Sequence, residues 1–281
     1  MSQTTVLSAP AKLNLSLRVL GRREDGFHAL DTLMVRLPGL ADRLEFSPAD
    51  EFRFTCSDPS VPSDHSNLVV KAVRAWETRS NQPCSYQIHL EKQVPHGAGL
   101  GGGSSDAATT LLGINQLHGD RLCLEQLIEI AAALGSDIPF FLMPGAVRCT
   151  GRGEILEPAP SPPALPVLLL KPGFGVATPD AYKRWKDSRE LPGIRYEAQV
   201  FPWGELVNDL ERPVFEKHLF LAETKEWLRR QPGVTGALMS GSGSTMIAIL
   251  EDLGAAGSVA EAARQALDPG LWTWAGMTEG L

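Results

Sequence analysis

Pro95, His96, Gly97, Ala98, Gly99, Leu100, Gly101, Gly102, Gly103, Ser104 and Ser105 stand in a row, five of the seven positions 97–103 being glycine. Glycine turns through positive φ without steric cost and lets backbone N–H groups approach a ligand closely. A helical pattern begins at Ser105, and a helix start offers unpaired N–H groups and partial positive charge, a setting for phosphate. Serine hydroxyls there suit phosphate or Mg²⁺. A P-loop requires a lysine after the glycines, and none follows. A dinucleotide fingerprint is formally present as Gly97, Gly99 and Gly102, but without a βαβ unit around it. The plain alternative is a turn with Ser104 or Ser105 as N-cap. The glycine content exceeds what a cap needs and favours phosphate.

Other side chains with chemical potential lie on patterned segments. Residues 11–20 alternate apolar and polar, so they form a half-buried strand with Lys12, Asn14, Ser16 and Arg18 on one face. An isolated strand lysine is ordinarily a solvated one. Asp137, before Ile138 and Pro139, reads as a helix cap. His28 has no second histidine at metal spacing, so no metal site is expected. Asn67 and Leu68 open a helix, and residues 240–244 form a serine/glycine loop between two strands.

These groups must be held by a folded frame. The 281 residues predict two domains or one large one, with 43% hydrophobic and 21% charged residues, enough for a core. Strands are expected at 30–37, 44–46, 52–56, 86–90, 146–149, 167–170, 245–250 and 272–277. Helices are expected at 66–79, 105–117, 122–134, 178–185, 213–230 and 255–267. Strands outnumber helices at the front and mix with them later, giving an α+β class. A Pro-rich stretch at 157–166 marks a junction between an N-terminal domain, 1–156, and a C-terminal domain, 157–281. The net charge of -7 and the lack of a basic run argue against nucleic-acid or anionic-membrane surfaces. No apolar run reaches membrane-spanning length, and no secretory leader is seen. Cys56, Cys84, Cys123 and Cys149 are far apart, which points to a reduced, cytoplasmic protein.

Four blocks together carry a resemblance across most of the chain. The loop 95–105 resembles the phosphate motif of the GHMP kinases, named for galactokinase, homoserine kinase, mevalonate kinase and phosphomevalonate kinase. Residues 10–15 with 23–28, residues 135–141, and residues 238–244 resemble the opening, acidic and C-terminal glycine motifs of the 4-diphosphocytidyl-2-C-methyl-D-erythritol kinases, and residues 208–211 also fit. The resemblance implies a two-domain α+β GHMP kinase fold with the active site in the inter-domain cleft. It implies ATP and Mg²⁺ as cofactors and a small-molecule acceptor, cytidine diphosphate-linked methylerythritol, phosphorylated at its C2 hydroxyl. The protein is then a monomer or weak homodimer. The resemblance reverses the cap reading of Asp137 and makes it the candidate base, with Lys12 beside it holding the reacting hydroxyl. Asn14 adds a hydrogen bond to substrate, and Gly241, Ser242 and Gly243 join the active-site floor. Phe27 and His28 fall at the cytosine end, with Tyr182 on the other face of the base, and Asn67 and Leu68 flank the adenine. Met34 departs from the pattern, standing where an aromatic residue is familiar. The rivals are another small-alcohol kinase of the superfamily and a catalytically dead nucleotide-binding protein.

Overall fold

The computed structural model describes residues 4–280. In chain order the elements are β1 (Thr5–Arg22), β2 (His28–Pro48), β3 (Arg53–Cys56), α1 (Leu68–Ser80), β4 (Tyr86–Glu91), α2 (Gly102–Leu117) and α3 (Leu124–Leu134). A 3-10 turn (Pro139–Leu142), β5 (Val147–Gly151), β6 (Ile155–Pro158), β7 (Pro166–Lys171), α4 (Thr178–Arg184), β8 (Gln199–Phe201) and β9 (Gly204–Asn208) follow. The chain continues through α5 (Glu211–Lys217), α6 (Leu219–Leu228), β10 (Val234–Met239), β11 (Met246–Leu250), α7 (Ala256–Ala266) and β12 (Trp272–Met277).

The backbone packs into two compact units. The first holds the stretch ending at Ala11 with Leu40–Pro95 and Gly101–Pro144; the second holds Lys12–Gly39, His96–Leu100 and the stretch from Gly145 onward. These units do not follow the expected single cut after residue 156. β1 and β2 are 18 and 21 residues long and each passes through both units. A cut after residue 156 leaves both strands wholly in the first piece, whereas the units divide inside them, at Ala11/Lys12 and Gly39/Leu40.

In the first unit, β4 runs antiparallel to the end of β2, pairing Phe46 with Ile88, and β3 lies parallel to β4. α1 buries Val69, Val70, Ala72, Val73 and Trp76, the apolar face at helical spacing that the sequence carries. α2 is buried from Ser105 to Asn115 except at Leu112. A Cβ on Gly113 would lie 2.7 Å from the Phe46 ring, so the lack of a side chain here lets helix and sheet pack closely. The Trp76 indole N–H donates to Asn115 Oδ1 at 3.1 Å, satisfying the polar end of a fully buried ring.

In the second unit a four-stranded sheet has the order β10-β11-β7-β12. Both faces of β11 are buried and all five of its residues are apolar, the continuous apolar run of a strand covered on both sides. The core here gathers Leu168, Leu170, Phe215, Leu221, Met239, Met246 and Val259 from the sheet, α5, α6 and α7. β9 pairs parallel with β1, Leu17 opposite Asn208, and β8 hairpins onto β9. β5 pairs antiparallel with β2 and with β6.

Candidate active site

In the second unit, β1 delivers Lys12 and Asn14 to one place. Both are only 3% exposed, so Lys12 is not the solvated strand lysine its alternation suggests. Lys12 Nζ donates to Asn14 Oδ1 at 2.5 Å, Asn14 Nδ2 donates to Thr32 Oγ1 at 2.8 Å, and Thr32 Oγ1 donates to the Ser16 carbonyl at 2.6 Å. The Asn14 amide is thus bonded through both its oxygen and its nitrogen, which fixes its orientation and aims the Lys12 ammonium. A Cβ on Gly241 would lie 3.3 Å from both Lys12 Nζ and Asn14 Oδ1. The C-terminal glycine loop therefore lies against this pair.

The loop 96–100 and the loop 240–244 are joined within the same unit. Ser240 Oγ donates to the Gly99 carbonyl at 3.0 Å, the Thr245 amide donates to the Ala98 carbonyl at 3.2 Å, and the Lys12 amide donates to the Leu100 carbonyl at 2.9 Å. Gly99 has φ +74°, and a Cβ there would lie 2.2 Å from the Ser240 carbonyl oxygen. That position accepts only glycine. The loop 240–244 is held from its other side too: Asn208 Nδ2 donates to the carbonyls of Met239 and Gly241, both at 2.7 Å. Glu211, paired with Lys225, accepts the Met239 amide at 2.9 Å. Ser242 and Thr178 share a hydroxyl bond of 2.7 Å, and Ser244 donates to the Phe174 carbonyl. Asn208 and Glu211 thus buttress the loop. The block 208–211 signals them in the sequence; its spacing alone carries no such role.

Aromatic groups collect near the start of β2. The His28 ring stacks on Tyr182 with centroids 5.4 Å apart and meets Trp185 edge-on at 5.9 Å. Burial and the nearby Arg22 push the His28 pKa below its ordinary value, so the ring is neutral at pH 7. Phe27 is 50% exposed and the Arg152 guanidinium lies 5.1 Å over its ring. His28 thus joins a stack as well as presenting an edge, and Trp185 belongs to the group although the sequence gives no sign of it. Met34 is fully buried in β2.

In the first unit, the helix α2 starts at Gly102, three residues before the expected start. Gly101, in the left-handed region at φ 70°, precedes it, with no side-chain cap bond. Ser104 and Ser105 therefore sit inside the first turn and are not caps. The amides of Gly102, Gly103 and Ser104 open the helix without a partner inside it, the Ser105 amide donates to the Gly101 carbonyl at 2.9 Å, and the Ser105 hydroxyl is buried without a hydrogen-bond partner. Leu68 lies beside this turn, 3.7 Å from where a Gly103 Cβ would be. Asn67 caps α1, accepting the Val69 amide at 2.8 Å and donating to the Pro62 carbonyl. Pro95 precedes the turn half-buried, and His96 and Gly97 are exposed. Asp137 lies in the turn between α3 and the 3-10 turn, whose N-cap is Ile138 with no side-chain bond.

Beneath the α2 start lies a buried cluster that the sequence does not announce. Lys92 donates to Asp42 and, at 2.9 Å, to Asp106, and its Nζ is 3.3 Å from where a Gly102 Cβ would lie. One ammonium faces two carboxylates. Burial pushes the Asp106 carboxyl up to about 8, against the pull of Lys92, and its Oδ1 has no hydrogen-bond partner. Burial also opposes the charge of Lys92, but Asp106 and Asp42 outweigh it and raise its pKa. A folded carboxyl near 8, against 3.8 unfolded, keeps a proton that the unfolded chain has released. Stability therefore falls as pH rises from about 4 to about 8, by at most roughly 1.4 kcal/mol per pH unit. Urea unfolding at pH 5 and pH 8 is expected to show this loss in the native chain and a clearly smaller loss in Asp106→Asn; equal losses would assign the slope elsewhere.

Comparison with known proteins gives a consistent result. Residues 67–145 match the family described as GHMP kinases N terminal domain, and residues 201–268 match GHMP kinases C terminal. A relative from Methylacidiphilum infernorum named 4-diphosphocytidyl-2-C-methyl-D-erythritol kinase is 43% identical over 94% of this chain and 93% of its own. A crystal structure of 4-(cytidine 5'-diphospho)-2C-methyl-D-erythritol kinase superposes with a TM-score of 0.80 at 36% identity, covering 99% of this chain and 100% of that one. A homoserine kinase from Cytophaga hutchinsonii gives 0.69 at 20% identity, covering 100% of this chain and 96% of that one, a likeness of fold.

Proposed function

Because this chain belongs to the 4-diphosphocytidyl-2-C-methyl-D-erythritol kinase family of GHMP kinases, we propose that it transfers the ATP γ-phosphate to the C2 hydroxyl of that methylerythritol compound, the kinase step of the non-mevalonate isoprenoid route. The observation that carries this reading is the identity of 43% across nearly the whole of both chains. The buried Lys12–Asn14–Thr32 network against the C-terminal glycine loop supports it. All four cysteines are free thiols, which suits a reducing compartment, and the reading places the reaction in the cytoplasm.

Phosphoryl transfer passes through a loose transition state, so positioning and charge stabilisation dominate catalysis. In this reading the residues 95–105 receive the ATP phosphates, with the amides of Gly102, Gly103 and Ser104 as donors, and Asn67 and Leu68 border the adenine. The C2 oxygen forms a bond to the γ-phosphorus as the bond to the β-bridging oxygen breaks, and ADP leaves. Asp137 takes the hydroxyl proton, Lys12 stabilises the negative charge growing on the oxygen, and Asn14 orients the acceptor. Bound together with ATP, Mg²⁺ would supply neutralisation of the phosphate charge. Among the described residues no group of three His, Cys, Asp or Glu side chains forms a cage for it. The unpartnered Ser105 hydroxyl is a hard oxygen donor of the kind Mg²⁺ takes beside phosphates, so it would hold the ion.

An ADP-release assay with the cytidyl acceptor, its uridyl analogue and homoserine tests the reading. Turnover on the cytidyl acceptor is expected to exceed both others; faster turnover of homoserine would overturn the proposal. Cytosine and uracil reverse donor and acceptor on one edge, and a mispaired buried group costs about 1–3 kcal/mol. His28, neutral and with one N–H and one lone pair, is assigned to that edge. Phe27 and Tyr182 are assigned to the faces of the base. His28→Ala is expected to lower kcat/KM for the cytidyl acceptor about tenfold and to narrow the cytidyl-to-uridyl ratio. An unchanged ratio would move discrimination to backbone groups.

A further inference from the structure

A cavity of about 70 Å³ in the second unit is lined by Arg195, Gln199, Arg229, Val234, Thr235 and Gly236. It opens between the end of α6, β8 and the start of β10, and its lining is polar. None of these residues belongs to the motifs assigned to catalysis. Nearly every polar group around it is already matched. Arg195 is held by Glu226, through Nε at 3.2 Å and Nη2 at 2.8 Å, and its amide also donates to Glu226. Lys225 is neutralised by Glu211 and donates to the Arg195 carbonyl. The Gln199 amide spans the Ala237 carbonyl and amide like a strand partner. Thr235 Oγ1 donates to the Ile249 carbonyl.

Arg229 is the exception. Its Nε and Nη1 are buried with no hydrogen-bond partner, and no ion pair to it occurs among the described residues. Burial and the charge of Arg195 push its pKa below the ordinary arginine value. Yet a guanidinium remains protonated in proteins. Arg229 as a whole is half-buried, and buried guanidinium N–H groups are costly unless an anion or water meets them. The carboxylates nearest in charge terms do not complete it: Glu226 serves Arg195 and Glu211 serves Lys225, while Glu197 is exposed. The cavity exceeds what one water needs, and guanidinium N–H groups match the oxygens of phosphate-like anions.

The geometry points to a binding site for a small tetrahedral oxyanion, of the size of inorganic phosphate, held by Arg229 with Arg195 beside it. The site is separate from the loops assigned to ATP.

The test is thermal unfolding of the full chain, saturated with ADP to hold the nucleotide site constant, across a series of inorganic phosphate at fixed ionic strength set with NaCl. At a hundredfold excess over the dissociation constant, the midpoint is expected to rise by about 5 °C or more. In Arg229→Met, which removes the half-buried guanidinium, the rise disappears while kcat/KM for the kinase reaction stays within about twofold. Arg229→Lys, a second variant that keeps the charge, weakens phosphate binding at least tenfold. No phosphate response in the native chain would show a cavity filled by water alone and overturn the proposal. An equal response in Arg229→Met, or in Arg229→Lys should the methionine variant not fold, would place the phosphate elsewhere and overturn it too. Stabilisation by acetate equal to that by phosphate would overturn the tetrahedral assignment.

Discussion

Turnover is expected to fall by about 100-fold or more in Lys12→Met, and by a similar factor in Asp137→Asn, while both proteins are expected to fold and bind ATP with little change. This is the usual scale for losing an electrostatic or general-base group whose interaction strengthens in the transition state. Lys12 is suited to that role by its burial: a charge held away from water acts on a developing oxyanion with less screening than one in solvent. Methionine keeps the unbranched stem and the volume but leaves Asn14 Oδ1 without its donor. That omission costs about 1–3 kcal/mol of stability, partly offset because no charge remains to be buried. The measurements are kcat and KM for ATP on variants whose circular dichroism and thermal melts confirm folding. A kcat within threefold of native in either folded variant would remove that residue from the chemistry. A raised KM with unchanged kcat would recast it as a binding group.

The second large effect is structural. Gly99→Ala is expected to lower stability by about 3 kcal/mol or more and to weaken ATP at least tenfold. The alanine methyl meets the Ser240 carbonyl oxygen and, at 3.0 Å, the Gly243 carbonyl oxygen. Both are backbone atoms that cannot rotate aside, so the loops must separate. Gly97 provides the comparison. Its φ is also in the left-handed region, at +62°, but a Cβ there has nothing within 4 Å. Gly97→Ala then carries only the left-handed penalty, roughly 1 kcal/mol. Urea midpoints and ATP titrations of the two variants separate crowding from backbone conformation. Equal losses in both would mean that φ alone matters.

Much of the frame is legible in the sequence because it follows from local periodicity. The alternation at 11–20 gives a strand and puts Lys12 and Asn14 on one face, as found. It does not give their burial, since both faces of β1 are covered from Ala11 to Leu15, and cover comes from chain far away in sequence. β2 reads as two strands because Pro38-Gly39 looks like a break. In the fold one strand runs through it, and the Trp274 ring lies 3.3 Å from where a Gly39 Cβ would be. The helix expected at 213–230 is interrupted at His218, whose φ of -125° and ψ of 73° are not helical. β8 and β9 are three and five residues long, too short to show a period, and nothing in the sequence marks them. Their loss matters for function, since β9 brings Asn208 to the glycine loop. Likewise the Lys92, Asp42 and Asp106 cluster draws on three separate elements, and no window of sequence contains it. The left-handed turn at Gly101, which sets where α2 begins, is one of many conformations a glycine run permits.

The clasp between Ser240 and Gly99 joins positions 141 residues apart. Loops 96–100 and 240–244 are therefore one object inherited in two pieces. A change in either meets the current state of the other, so their substitutions are expected to be coupled. A chimera that takes one loop from a distant relative and keeps the other inherits a mismatched pair, whereas transplanting both together moves a working unit. The same logic bears on directed evolution: diversity introduced at 98–100 is largely lost unless 240–245 is varied in the same library.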